Sequence, residues 1–116
     1  MSAGAEFYFS KGYTPIVRSV AVSGLDTFTI AAPGTSNRVV LTNISFSSNA
    51  AGTIAFYFEG NDLIAQYFRQ ASATVTPQIG AWESTILSGR IFGRLGGVSG
   101  TDGCYVNAEG FFIPQI

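Results

Sequence analysis

Histidine is absent from this chain, and lysine, methionine, tryptophan and cysteine occur once each. The lack of histidine removes the usual general base of neutral-pH catalysis and the commonest metal ligand. Cys104 stands alone, so no intrachain disulfide can close and no thiolate metal cluster can be built from one chain. Its apolar neighbours mark it as a buried, inert thiol. Lys11, in an N-terminal turn, is badly placed to activate a serine. The acids fall in turns (Asp26, Glu59, Asp62, Asp102) or singly near strands (Glu6, Glu83, Glu109). That scatter offers neither the paired carboxylates of a glycosidase nor the spacing of an EF-hand. The expectation is a non-enzyme with no catalytic residue, no metal site and no cofactor.

Charge is also scarce. Charged residues make up 11% of the chain, against roughly 25% in ordinary soluble domains. The five arginines are spread along the sequence and the formal net charge is −1. A nucleic-acid partner would need a basic face, so none is expected. No apolar run approaches the roughly 18 residues of a membrane span. Met1 to Glu6 carry neither the basic start nor the apolar stretch of a secretion signal, which points to a protein folded in a cytosol.

What the chain does have is apolar and aromatic material. Hydrophobic residues reach 47%, with ten Phe and five Tyr in 116 residues. That exceeds what a monomer of this size needs to bury, and part of the surface is expected to face protein instead of water. The apolar residues come in short β-branched and aromatic segments cut by Gly, Asn, Asp or Pro, with no helical stretch of convincing length. Such patterning predicts an all-β fold: an antiparallel β-sandwich, jelly-roll-like, of about eight to ten short strands. An immunoglobulin-like strand order stays open beside it.

Several strands can be read residue by residue. In Tyr13–Ser23, Ile16, Arg18, Val20 and Val22 share one face, and Val17, Ser19 and Ala21 the other. Gly24 and Asp26 frame a hairpin turn before Thr27–Ile30, where Phe28 and Ile30 point inward. In Arg38–Ser47 the apolar parity switches between Val39/Leu41 and Ile44/Phe46, which predicts a β-bulge near Thr42–Asn43. Phe56 and Phe58 face the core from Thr53–Phe58, and Glu59–Asp62 is a turn. A short strand is expected around Thr74–Thr76, and others over Trp82–Leu87 and Arg90–Leu95. The glycines of Gly93–Gly97 and of the loop up to Gly103 read as turn glycines with positive φ, since no phosphate-loop Lys-Ser/Thr accompanies them.

Residues 13–116 form one β-sandwich domain in this reading, and residues 1–12 an N-terminal segment that serves as an inter-subunit strand or arm. Glu6–Ser10 and Gly110–Ile113 are strand-like with aromatics on both sides. One side can line the core, while the other needs a cover that a second subunit would supply. Phe7, Tyr8, Phe9, Phe111 and Phe112 are therefore interface candidates. Arg90 and Arg94 share a strand face and join them, with Arg69 as a further member and Glu83 or Glu109 as ion-pair partners. Within one chain, Glu83 is expected to pair with Arg90 or to lie on a solvated face. A second reading is a carbohydrate-binding or lectin-like module, with Tyr57, Tyr67, Trp82 and Tyr105 as sugar-stacking aromatics.

The stretch Arg38–Ser48, continued through Ala50-Ala-Gly-Thr-Ile54, resembles small head- and tail-associated and capsid-decorating proteins of double-stranded DNA bacteriophages. In these a bulged strand leads into an alanine-glycine-threonine hairpin, and Gly89 and the strand at Tyr105-Val106 match their closing pattern. The likeness spans more than half of the chain and is one of texture. It implies a jelly-roll module, commonly a homotrimer, that sits on an icosahedral head and reinforces contacts between major capsid protein subunits. The longer N-terminal arm of some such cement proteins is missing. The functional expectation is thus a virion structural protein assembled in a host cytoplasm.

Overall fold

A computed structural model describes residues 5–23, 27–33, 37–84, 89–96 and 103–114. A short helix, α1 (Ala5–Ser10), precedes nine strands: β1 (Thr14–Ser23), β2 (Thr27–Ala31), β3 (Asn37–Ser48), β4 (Gly52–Phe58), β5 (Asp62–Arg69), β6 (Ala73–Val75), β7 (Trp82–Glu83), β8 (Ile91–Gly96) and β9 (Gly103–Pro114). They form two sheets. In the first, β1, β9 and β3 lie side by side, and both β6 and β7 pair with the far edge of β3. The second runs β2-β8-β4-β5. Every ladder between these strands is antiparallel. Across the core β1 lies against β2 and β3 against β5. This strand order is that of a jelly roll and excludes the immunoglobulin-like alternative.

The topology corrects one local expectation. β1 and β2 belong to different sheets, so the chain crosses the sandwich between them instead of making a hairpin. The turn residues 24–26 lie outside the described residues, as do 85–88 in the strand expected over Trp82–Leu87. β4 and β5 do form a hairpin, turned by Gly60 and Asn61, both at positive φ.

The core follows strand parity. Phe28, Val39, Leu41 and Phe56 are buried, while Phe58, expected inside, is only half-buried at the strand end. The bulge falls where the parity switch requires it: Leu41 pairs with Gly110 and Asn43 with Glu109, leaving Thr42 as the extra residue. Ile44 and Phe46 thereby turn inward. Gly110 is needed here for space, because a Cβ would overlap the Val40 carbonyl. Gly93 and Gly96 are likewise strand residues of β8, not turn glycines. A Cβ on Gly93 would run into the Phe28 ring.

The N-terminal aromatics are a second correction. Glu6–Ser10 is part of a helix, not a strand. A helix this short is unstable alone and is held by tertiary packing. Tyr8 packs with Val40, Phe111 and Ile113 in a small second core on the outer side of the first sheet. Gly12, at φ 73°, donates to the Phe9 carbonyl and ends the helix. The chain itself thus covers much of the apolar surface at this end of the sheet.

Candidate interaction surfaces

Burial divides the expected interface residues. Tyr8 and Phe111 are inside the second core, and Phe112 packs, half-buried, against the main one. Neither Tyr8 nor Phe111 is free to meet a partner. Phe7 and Phe9 are exposed, at 49% and 61%. Phe9 stands edge-on to Phe111, with centroids 4.8 Å apart. With Pro15 and Val17 it borders a small cleft of about 70 Å³, rimmed by Thr42 and Glu109.

The basic residues separate as well. Arg90, just before β8, and Arg94, within it, lie on the outer face of the second sheet. The Arg90 guanidinium lies 4.5 Å from the Phe92 ring centre, and Arg94 lies 5.5 Å from that of Tyr57. Tyr57 and Phe92 stack with centroids 5.2 Å apart. Arg90 pairs with Glu59 at 3.2 Å and Glu83 with Arg38 at 3.0 Å, so the expected Glu83–Arg90 pair does not form. The reason is register: β7 lies beside β3, in the other sheet from β8. Arg69 is buried instead of joining a surface patch. Its guanidinium donates to the carbonyls of Thr53, Ala50 and Gly96 and to the Ser48 hydroxyl, at 2.8 to 3.0 Å. It clamps the β3–β4 turn to the end of β8.

The four sugar-stacking candidates are not brought together. Trp82 is buried against Phe56, and Tyr67 packs on Phe46 and Phe56 inside the sandwich. Burial pushes the Tyr67 phenol above its ordinary pKa. Tyr57 has its ring engaged by Phe92 and Arg94 on the second sheet. Tyr105 alone is widely exposed, at 66%, and it lies on the first sheet.

Sequence reasoning passed over three exposed apolar side chains: Val17, Leu63 and Phe68. Val17 sits on the polar parity of β1, which was a legible signal. Leu63 and Phe68 lie on β5, the outermost strand of the second sheet, and pair with Tyr57 and Thr53. The β5 register shifts between those two pairs, which brings both side chains to the outer face although their numbers differ in parity.

Two larger depressions lie among the described residues. One, of about 310 Å³, lies beside Val22, Asn49, Cys104 and Tyr105. Cys104 is buried, and that burial raises its thiol pKa despite the nearby Arg69 charge and a backbone hydrogen bond from Ser47. The other, of about 490 Å³, runs between Thr42-Asn43 of β3 and residues 76–80. Among the described residues, no three His, Cys, Asp or Glu side chains gather into a metal-holding group, and no helix is long and apolar enough to cross a membrane.

No protein-family model and no curated protein sequence matches this chain. Solved structures do. A chain of the Bacillus endospore appendages, which form disulfide-linked pili, is similar at 9% identity and a TM-score of 0.50, over 90% of this chain and 91% of that one. The CBM36-1 domain of a multidomain xylanase from the hindgut metagenome of Trinervitermes trinervoides is similar at 9% identity and a TM-score of 0.48, covering 86% of this chain and 90% of its own. A chain of the cyanophage Pam1 capsid asymmetric unit follows at 16% identity and a TM-score of 0.44, over 87% and 84% of the two chains. Likeness at such identities concerns the fold alone. The chain is an all-β, jelly-roll-like sandwich of two antiparallel sheets.

Proposed function

We propose that this protein is a non-catalytic structural module of a larger assembly, a capsid-decorating or coat-associated virion protein that acts through contacts with itself and with a major capsid protein. The observation that carries this reading is the placement of its exposed apolar side chains. Phe9 and Val17 lie on the first sheet beside β1, while Leu63 and Phe68 lie on β5 of the second. With β1 set against β2, β5 is at the opposite lateral edge of the sandwich. Two unlike apolar surfaces on opposite edges suit a head-to-tail contact, which closes into a trimeric ring where successive copies are turned by a third of a circle. Low charge and the absence of histidine fit a role in assembly and not in catalysis.

Sedimentation equilibrium tests the reading. The wild type is expected to be trimeric, while Phe9→Ser/Val17→Ser and Leu63→Ser/Phe68→Ser are each monomeric. Mixing the two variants restores one intact contact and yields dimers. A wild-type monomer at high micromolar concentration that also fails to bind capsids overturns it.

A second reading, carbohydrate binding, is favoured by one observation: the groove beside Thr42 and Asn43 is lined without a single charged side chain.

A further inference from the structure

The outer edge of β3 is only partly covered. β7 pairs with it at Val40 and Leu41, and β6 at Phe46 and Ser47. Thr42 to Ser45, between them, have no strand partner on that side among the described residues. The chain joining the two covering strands, Thr76–Ala81, has six residues to pass four. An extended connection would need about as many residues as the strand it follows. Pro77, which has no N–H to give to a ladder, and Gly80, at φ 66°, also disfavour a continuous strand here. The β3 bulge lies at the same place and leaves its extra residue, Thr42, outside the regular ladder. Together these two irregularities open the groove of about 490 Å³.

We propose that this groove binds a short neutral oligosaccharide. The inference rests on the carbohydrate reading above and gives it a site other than the aromatic residues. Asn43, Thr76 and Gln78 are exposed and supply amides and hydroxyls that both donate and accept, as sugar hydroxyls do. The Thr42 hydroxyl is already donated to the Glu109 carbonyl, at 3.4 Å, so toward a ligand it is an acceptor. Ile79 and Pro77 add apolar surface for the C–H side of a pyranose. No lining side chain is charged, so an ionic ligand would lose hydration and gain no ion pair. The volume lies within the usual range of small-molecule sites, about 300 to 1,000 Å³. An added peptide strand fits less well. Residues 76–80, which join the two strands paired to this edge, already occupy the side on which such a strand would have to lie.

The test is a titration of the ¹⁵N-labelled full chain with maltotriose, cellotriose, xylotriose and N-acetylchitotriose, followed by amide shifts. At least one sugar is expected to move the side-chain amides of Asn43 and Gln78 and the backbone of residues 76–80 at millimolar concentration. Both side chains are on the surface, so Asn43→Ala/Gln78→Ala should keep the wild-type Tm and weaken that sugar about ten-fold or more, the effect of losing one or two hydrogen bonds. Sugar-dependent shifts confined to other residues, such as those around Tyr105, would keep the carbohydrate reading and overturn this site. Lack of response to all four sugars overturns both. A response to an extended Thr-Val repeat peptide in place of the sugars assigns the groove to strand addition and also overturns the proposal.

Discussion

The Tyr8 ring stacks on Phe111 with centroids 5.4 Å apart and planes 24° from parallel. Through this contact the first turn of the chain becomes part of the sandwich, although Tyr8 and Phe111 stand near opposite ends of the sequence. The Tyr8 hydroxyl also donates to the Glu83 carboxylate at 3.3 Å, and Glu83 in turn holds Arg38.

Truncating Tyr8 to Ala is expected to cost about 3 kcal/mol, because it removes an aromatic ring from a packed site and uncovers Phe111. Tyr8→Phe keeps the ring and loses the bond to Glu83, for about 1 kcal/mol. Phe7→Ala, at a half-exposed neighbour, should cost less than either. Urea unfolding of the three variants checks the order, and equal losses for Tyr8→Ala and Phe7→Ala would show that α1 does not pack as described.

Arg69 is the most consequential polar residue of the core. Replacing it by Met leaves the part-buried carbonyls of Ala50, Thr53 and Gly96 without a donor that now reaches them, at a cost of about 3 kcal/mol. Arg69→Lys should recover little, since an ammonium cannot spread its donors across the positions of the guanidinium fork. Arg94→Ala, at the surface over Tyr57, should cost about 1 kcal/mol or less. Denaturation midpoints of the three decide this.

Gly93→Ala adds a methyl group against the buried Phe28 ring. Overpacking of this kind costs about 1 to 3 kcal/mol. Phe28→Leu removes the ring atoms that clash, so the double variant should lose less than the sum of the singles. A double-mutant cycle measures the coupling, and strict additivity would contradict the packing of β2 on β8.

Alkaline pH should destabilise the fold. Burial raises the pKa of Cys104, of Tyr67 and of Tyr8, where the Glu83 charge and hydrogen bond raise it further. In the unfolded chain a thiol ionises near about 8.5 and phenols near about 10. Above those values the unfolded state releases protons that the folded state still holds. Stability is therefore full below about pH 8 and falls as pH rises toward the higher folded pKa values. Cys104→Ala should remove the first part of that fall and leave the tyrosine part. Unfolding free energies measured from pH 7 to 10.5 test the sign. A rise with pH would refute it.

Much of the sandwich was legible because strand parity is a local signal of period two. Phe28, Val39, Leu41 and Phe56 were assigned inward from alternation alone, and the parity switch within β3 located its bulge. The glycines of β8 were misread, since glycine is used both where φ is positive and where a neighbour leaves no room for Cβ. Only the Phe28 ring distinguishes the two cases at Gly93.

By itself the sequence determined the all-β class, the single sandwich and the faces of its longer strands, all of which follow from the alternation of side chains along short extended segments. Tertiary structure decided the rest. It set β1 and β2 in different sheets, folded Glu6–Ser10 into a helix over Phe111, gave Glu83 to Arg38, and drew Arg69 into the core. It also left the edge of β3 open beside Gln78. Each of these depends on which distant segments share an edge or a face. Strand pairing energies are similar for many partners, so only the joint packing of both sheets selects among them.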